Sequence, residues 1–181
     1  MASHDQPAGR CSNLELRRRL DYDDARLLGE CEVHRHRASG PGGQHRNKVA
    51  SAIRLHHKPS GLVASAAESR LQGENQRRAL RRLRAAIALV ARAPLPKTIV
   101  WPETVNVERG RLRVNEKNPA IHHVIALVLD ALAACEGRLA DTARCLGLTS
   151  SSLARFLKEH PKAWREAACI REQAGLPPLR S

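Results

Sequence analysis

The chain has 181 residues, of which 31 are Lys or Arg and 18 are Asp or Glu, so its formal net charge at pH 7 is +13. A charge of this sign and size favours polyanionic partners over neutral or acidic ones. The five cysteines are widely spaced and include no Cys-x-x-Cys pair, which argues against a disulfide framework and against a zinc site. No stretch approaches the roughly 20 apolar residues of a membrane span. We therefore expect a cytoplasmic protein of two small domains, with neither cofactor nor metal.

The first third of the chain is predicted to form short helices and then a small antiparallel sheet. Apolar residues recur at near-helical spacing in residues 13–28, after a polar tail. Residues 31–38 and 49–57 alternate in the manner of β-strands, and residues 62–67 are expected to return as a third strand. Residues 58–61, Lys-Pro-Ser-Gly, are typical of the tight turn that this return needs.

The most informative segment, residues 39–48, joins the first two predicted strands and is called the glycine segment below. It reads Ser-Gly-Pro-Gly-Gly-Gln-His-Arg-Asn-Lys. Glycine is used where the backbone takes a positive φ or comes close to another molecule. The three glycines, at positions 40, 42 and 43, thus suggest that main chain meets a partner here. The cationic side chains that follow suggest that this partner carries phosphate.

The positive charge is concentrated around this segment. Residues 31–90 contain 12 Lys and Arg against 3 Asp and Glu, and they contain no Phe, Tyr or Trp. Base stacking is therefore unavailable in this region. Nucleic-acid binding by residues 31–90 would have to rest on phosphate contacts and shape.

A long amphipathic helix is predicted for residues 68–91, because Leu80, Leu83, Ile87 and Val90 recur at three- and four-residue spacing. Gly73 is the residue in this stretch that is least favourable for a helix. The opposite face is expected to carry cations without acidic partners four residues away, which would repel one another unless they contact phosphate. The alternative is an ordinary solvated surface. The arginines concerned are Arg77, Arg78, Arg81, Arg82 and Arg84.

Residues 93–97, Ala-Pro-Leu-Pro-Lys, predict an extended connector, since two closely spaced prolines favour a semi-rigid chain. The next twenty residues are ambiguous between a linker and a small hairpin. Residues 98–101 and 103–107 look strand-like, residues 109–111 look like a turn, and residues 112–114 would close the hairpin.

The C-terminal third is predicted to be helical over residues 120–171, and residues 139–157 resemble a helix-turn-helix. Ala143 is small where two helices would cross, Gly147 supplies the turn, and Leu153 would pack under the second helix. Thr149 or Ser150 suits its N-cap. The alternative is a packing unit without a ligand. The candidate nucleic-acid-binding residues on the exposed face are Ser150, Ser151, Arg155 and Lys158.

Residues 37–84 resemble the catalytic domain of class I peptide chain release factors, which the smaller codon-independent ribosome-rescue hydrolases share. Residues 37–48 follow the loop of that family, residues 51–55 its next strand and residues 59–61 its turn. Residues 68–72 and 75–83 look like the start of its long basic helix. The resemblance covers about a third of the chain, with departures at Pro41, Arg46 and Leu71.

This resemblance implies hydrolysis of the ester that joins a nascent peptide to transfer RNA in the ribosomal peptidyl transferase centre. Attack by water creates an oxyanion, which a preorganised backbone N–H stabilises. In the family that donor belongs to the glutamine main chain, here Gln44, and Gly42 and Gly43 would permit the close approach. His45 is the competing general-base candidate, but in the family it follows the motif without carrying catalysis.

The resemblance also implies contacts with the backbone of large-subunit ribosomal RNA. The alternative for each residue is ordinary surface charge. The residues assigned to RNA binding are Arg37, His45, Arg46, Asn47, Lys48 and Arg54, together with Arg77, Arg78 and Arg81 of the helix face.

Release factors read the stop codon through a further domain, lying partly before the catalytic one, with a Pro-x-Thr or Ser-Pro-Phe tripeptide. Only about thirty residues precede the matching region here, so we expect a codon-independent rescue factor. The rescue enzymes use a lysine-rich C-terminal tail instead, whereas this C-terminal part has few lysines and is predicted to fold. The expected partners are the ribosome and peptidyl-tRNA, with a second RNA or DNA contact through the C-terminal module. The alternative function is a non-catalytic regulator that binds ribosomal RNA or DNA.

The predicted fold class is α+β: a small antiparallel sheet with a long basic helix, followed by an all-α, helix-turn-helix-like module. The expected divisions are an N-terminal tail and short helix (1–30), a hydrolase domain (31–92), a linker or small hairpin (93–118) and the helical module (119–181).

Overall fold

A computed structural model describes residues 11–37 and 50–179. The chain forms two compact units, residues 1–90 and residues 91–181. It contains a small antiparallel sheet, a long helix and several shorter helices, which confirms the predicted α+β class.

The first unit begins with short helices that are fixed by side-chain caps. Helix α1 spans Asn13–Arg18, a 3₁₀ turn spans Arg19–Asp21, and α2 spans Asp24–Gly29. Ser12 and Glu15 form a reciprocal capping box at the start of α1, and the Asp23 side chain accepts from the Arg26 amide at the start of α2. Such caps satisfy amides that have no partner within the helix.

The sheet has three antiparallel strands in the order β1, β2, β3: Cys31–His36, Ala52–His57 and Val63–Ala66. His36 pairs with Ala52, and Ile53 pairs with Ala66. The start of β2 and the end of β3 therefore lie at the same end of the sheet. Residues 37–51 connect the neighbouring ends of β1 and β2 there.

Helix α3, Gln72–Val90, packs on β2 and β3. Leu83 and Ile87 on the helix and Ile53 and Leu55 on β2 are fully buried. Burying each such side chain is worth about 1.5–3 kcal/mol. This apolar layer holds the helix to the sheet and leaves its arginine-bearing side exposed.

A buried polar network joins the N-terminal helices to the sheet. His57 is completely buried, with Nε2 2.9 Å from Glu30 Oε2 and Nδ1 2.6 Å from Ser60 Oγ. The Arg19 guanidinium donates to the same Glu30 carboxylate, with Nε at 2.9 Å. Burial raises the pKa of Glu30, but the hydrogen bonds from Arg19 and His57 outweigh it and lower that pKa overall. For His57, burial prevails over the Glu30 contact and lowers the pKa below its ordinary value of 6.5.

Acidification is expected to destabilise the first unit through His57. Because the His57 pKa is lower in the folded chain, the unfolded chain binds the proton first, and protonation favours unfolding. This contribution is fully present above pH 6.5 and is lost as the pH falls below it. The urea midpoint, followed by circular dichroism, should decrease between pH 7.5 and pH 5.5. A His57→Gln variant should show a weaker pH dependence, and an unchanged dependence would contradict this assignment.

In the second unit, described up to residue 179, the chain forms a hairpin and four helices. Strands β4 and β5 span Asn106–Glu108 and Arg111–Arg113 and pair antiparallel. The helices are α4, Ile121–Ala134; α5, Leu139–Cys145; α6, Ser150–Glu159; and α7, Pro161–Gln173. Their shared core is built from fully buried aliphatic side chains, among them Val124, Leu129, Leu132, Leu153 and Leu157.

The strand predicted at residues 98–101 is wrong. These residues form no strand, and β4 begins only at Asn106. The β-branched residues there have no neighbouring strand to pack on, and Val100 is 79% exposed. Strand propensity reflects fit to a half-buried pleated surface and has no effect without one.

No helix in the two described ranges is both long enough and apolar enough to cross a membrane.

Candidate functional site

The glycine segment lies outside the described residues, as do most of the residues assigned to it. These are the catalytic candidates Gly42, Gly43 and Gln44 and the RNA-binding candidates His45, Arg46, Asn47 and Lys48. The strands on either side of the segment, and the helix start beside its exit, are described.

Arg54 lies on the three-stranded sheet and Arg37 lies at its edge, at the end of β1. Arg37 directly follows β1 and is exposed. Arg54 is exposed in the middle of β2, between His34 on β1 and Ser65 on β3. In the described chain neither arginine has an ion-pair partner. Both are available to an external anion.

Asn75 ties the exit of the glycine segment to the start of α3. Its side chain is completely buried, and its amide nitrogen donates to the carbonyl oxygens of Ser51 and Ser69, both at 2.7 Å. Its amide oxygen accepts from the Ser69 N–H at 2.9 Å. Ser51 immediately precedes β2, so one side chain fixes the end of the connection, the turn before the helix and the helix itself.

Asn75 is not among the site residues predicted from the sequence. The signal was present, because Asn75, Ala79, Leu83 and Ile87 recur every four residues and all four are buried. A polar residue on an otherwise apolar helix stripe must find partners when it is buried. The sequence alone does not indicate which groups are the hydrogen-bond partners of Asn75.

The prediction that the α3 arginines lack an acidic partner four residues away is wrong for Arg78, and two more of the five arginines pair with acidic residues farther away in the chain. Arg78 lies 3.8 Å from Glu74 and 3.9 Å from Glu68, and Arg82 is also paired with Glu68. The hydrogen bond from Arg82 is the main cause that lowers the Glu68 pKa. Arg84 pairs with Asp24 at 2.6 Å. These contacts reduce the charge that this part of the helix offers to an outside partner.

Arg77 and Arg81 differ from the other three. Both are exposed, and within the described ranges neither has an ion-pair or hydrogen-bond partner. They are four residues apart, hence on one side of α3, and Arg77 is only two residues from Asn75. They therefore give α3 two exposed cations that have no partner among the described residues.

In the second unit, α6 exposes the four residues assigned to it: Ser150, Ser151, Arg155 and Lys158. Thr149 is its N-cap, with Oγ1 3.2 Å from the Ser152 amide. Arg155 lies 3.9 Å from Glu159, both more than half exposed. Lys158 Nζ lies 5.9 Å from the ring centre of Trp164.

Among the described residues, no group of three or more His, Cys, Asp or Glu side chains is positioned to hold a metal ion. The first unit exposes four arginines without an ion-pair partner among the described residues: Arg37, Arg54, Arg77 and Arg81. Such an arrangement suits a polyanionic partner.

Comparisons with known proteins agree on one family. A model described as the RF-1 domain matches residues 28–126, more than half of the chain. The chain is 36% identical over 107 residues to peptide chain release factor 1 of Acidiphilium cryptum, covering 51% of this chain and 30% of that protein. It is 36% identical over 119 residues to the same factor of Delftia acidovorans, covering 54% and 33%. A shorter match, 47% over 58 residues, is to the factor of Caldicellulosiruptor saccharolyticus and covers 32% and 16%. The chain thus spans about a third or less of the length of these curated relatives.

Proposed function

Because the chain belongs to the RF-1 domain family, we propose that it hydrolyses the peptidyl-tRNA ester on the ribosome without reading a stop codon. The observation that carries the proposal is the glycine segment between two paired strands, inside the region that the family model matches. The relatives are named peptide chain release factors. Their name supports a role in translation termination.

In this proposal the Gln44 backbone N–H donates to the oxyanion that forms when water attacks the ester. Gly42 and Gly43 let the main chain approach the reacting carbon, and the Gln44 side chain positions water or excludes competing nucleophiles. The ribosome and the substrate supply the remaining surroundings, so no Ser-His-Asp arrangement is required.

The exposed arginines of the first unit would hold the protein on ribosomal RNA. Arg37, Arg54, Arg77 and Arg81 are exposed and unpaired among the described residues. We assign phosphate contacts to these four in preference to Arg78, whose charge is shared with Glu68 and Glu74. The assignment of His45, Arg46, Asn47 and Lys48 follows from their place in the glycine segment.

Single-turnover release of labelled peptide from peptidyl-tRNA on purified ribosomes tests this function. We expect comparable release rates with an empty, a sense-codon and a stop-codon A site. The stop-codon A site is included because the sequence contains two Pro-x-Thr tripeptides, residues 96–98 and 102–104, and release factors read stop codons with such a tripeptide. Release confined to stop codons would contradict codon independence. Binding without release in any complex would instead favour the non-catalytic alternative.

A variant with weakened ribosome binding serves as the reference in this experiment. Arg77→Ser combined with Arg81→Ser removes two exposed cations that have no ion-pair or hydrogen-bond partner within the described fold. The concentration for half-maximal release should rise, while the rate at saturation should stay unchanged. Such a split separates attachment to the ribosome from the chemical step.

A further inference from the structure

The exposed face of α6 and the tip of the β4–β5 hairpin lie next to each other in the second unit. Ser152, Leu153, Phe156 and Leu157 face the core of the second unit. The opposite stripe consists of small residues at the start of the helix and cations toward its end: Ser150, Ser151, Ala154, Arg155 and Lys158. Glu159, at the end of the helix, is the only carboxylate on α6.

The hairpin is fixed against the first turn of α6. The Thr149 N–H donates to the Gly110 carbonyl at 2.9 Å, and the Leu112 N–H donates to Ser152 Oγ at 2.9 Å in a buried hydrogen bond. A Cβ on Gly110 would lie 3.2 Å from Thr149 Cγ2 and 3.3 Å from its backbone nitrogen. The hairpin tip therefore lies directly beside the small residues that begin the exposed stripe.

The tip carries exposed cations that the described fold does not use. Arg109 and Arg111 are exposed, and neither has an ion-pair or hydrogen-bond partner in the described ranges. Arg109 adopts φ 49°, and Gly110 follows at φ 73°. A two-residue hairpin turn with two positive φ values favours Asn or Gly at its first position. An arginine with a positive φ and no contact of its own among the described residues marks this turn as a candidate binding position.

The cations on the helix are also available. Arg155 and Glu159 are 3.9 Å apart and more than half exposed, so water screens their attraction. Lys158 lies near the ring of Trp164 but has no carboxylate partner among the described residues. The helix and the hairpin tip together present four cations around a strip of small polar residues.

We propose that α6 and the hairpin tip form a binding surface for duplex DNA. The major groove of B-form DNA is about 12 Å wide and admits an α-helix, whereas the major groove of A-form RNA is too deep and narrow for one. Helix α6 would enter the groove, with Ser150 and Ser151 facing base edges. Arg155, Lys158, Arg109 and Arg111 would contact phosphates on the two sides. The proposal goes beyond peptide release and does not depend on it.

Duplexes selected from a random DNA pool by the full chain, followed by fluorescence anisotropy, provide the test. We expect a short sequence motif to be enriched. Arg155→Ser with Lys158→Ser should weaken binding to the selected duplex at least about tenfold and reduce the slope of log K against log salt by about 1.8, at 0.9 per lost phosphate contact. Lys162→Ser with Arg165→Ser makes the same charge change on exposed positions of α7 and should have a clearly smaller effect.

Arg109→Gly separates binding from folding. Glycine suits the positive φ at this position better than arginine does, so the melting temperature should not fall. Affinity for the selected duplex should nevertheless decrease several-fold. The proposal is overturned if no motif is enriched or if the two charge pairs weaken binding equally. It is also overturned if an A-form RNA duplex of the same sequence binds as tightly through Arg155 and Lys158.

Discussion

Replacing Gly43 by alanine is expected to slow peptide release at least about 100-fold while leaving ribosome binding nearly unchanged. The proposed oxyanion donor is the adjacent Gln44 N–H, and a methyl group at position 43 would keep the main chain from the reacting ester. Loss of one such donor typically costs about 10²–10³ in rate, or about 3–4 kcal/mol. Single-turnover release and salt-dependent ribosome binding, measured on the same preparation, provide the two readouts.

Gly73→Ala is the matched control for this substitution. Gly73 lies in the exposed first turn of α3, and a Cβ there meets nothing within 4 Å. The variant should release peptide normally and gain about 0.4–1 kcal/mol of stability, because alanine restricts the unfolded chain. If release survives in Gly43→Ala, or disappears equally in Gly73→Ala, the backbone mechanism is wrong.

Replacing Asn75 by alanine should affect both stability and release. The change removes three hydrogen bonds and leaves the Ser51 and Ser69 carbonyls and the Ser69 amide without their side-chain partner. Unsatisfied buried polar groups cost about 1–3 kcal/mol each, so a loss on the order of 3 kcal/mol is expected. Urea unfolding measures this loss.

The effect on release tests whether Asn75 positions the glycine segment or only stabilises the fold. Since Asn75 fixes Ser51 at the exit of the glycine segment, release should be slower at saturation even under conditions where the variant is fully folded. Gln76→Ala is the control, because Gln76 is the next residue of the same helix and forms no side-chain hydrogen bond with the described chain. A stable fraction of Asn75→Ala that releases peptide at the normal rate would restrict Asn75 to a structural role.

The elements that the sequence predicted well are those with local signals. Strands β1 to β3 follow from alternation and from the turn at residues 58–61, and α3 follows from the spacing of its apolar residues. The turn at residues 109–111 was marked by Gly110. The positive φ of Arg109 was not predictable, because no local preference of arginine favours it.

What the sequence did not reveal are contacts between residues far apart in the chain. Arg82 and Glu68 are fourteen residues apart and Arg84 and Asp24 are sixty. Counting charges on one helix face could not show that these cations are neutralised. The same limitation applies to Asn75, whose partner Ser51 is twenty-four residues away. Periodicity identifies which side of a helix is buried but gives no information on what it touches.

The network around His57 depends on residues that precede the sheet. A fragment that starts at Cys31, the first residue of the sheet, would lack Glu30 and Arg19 and would leave the buried imidazole facing an empty position. Even the region matched by the family model, which starts at residue 28, excludes Arg19. The Glu30 carboxylate would then lose its cation. A fragment that keeps the whole network therefore has to include Arg19 and the helix before it, which begins at the Ser12 cap.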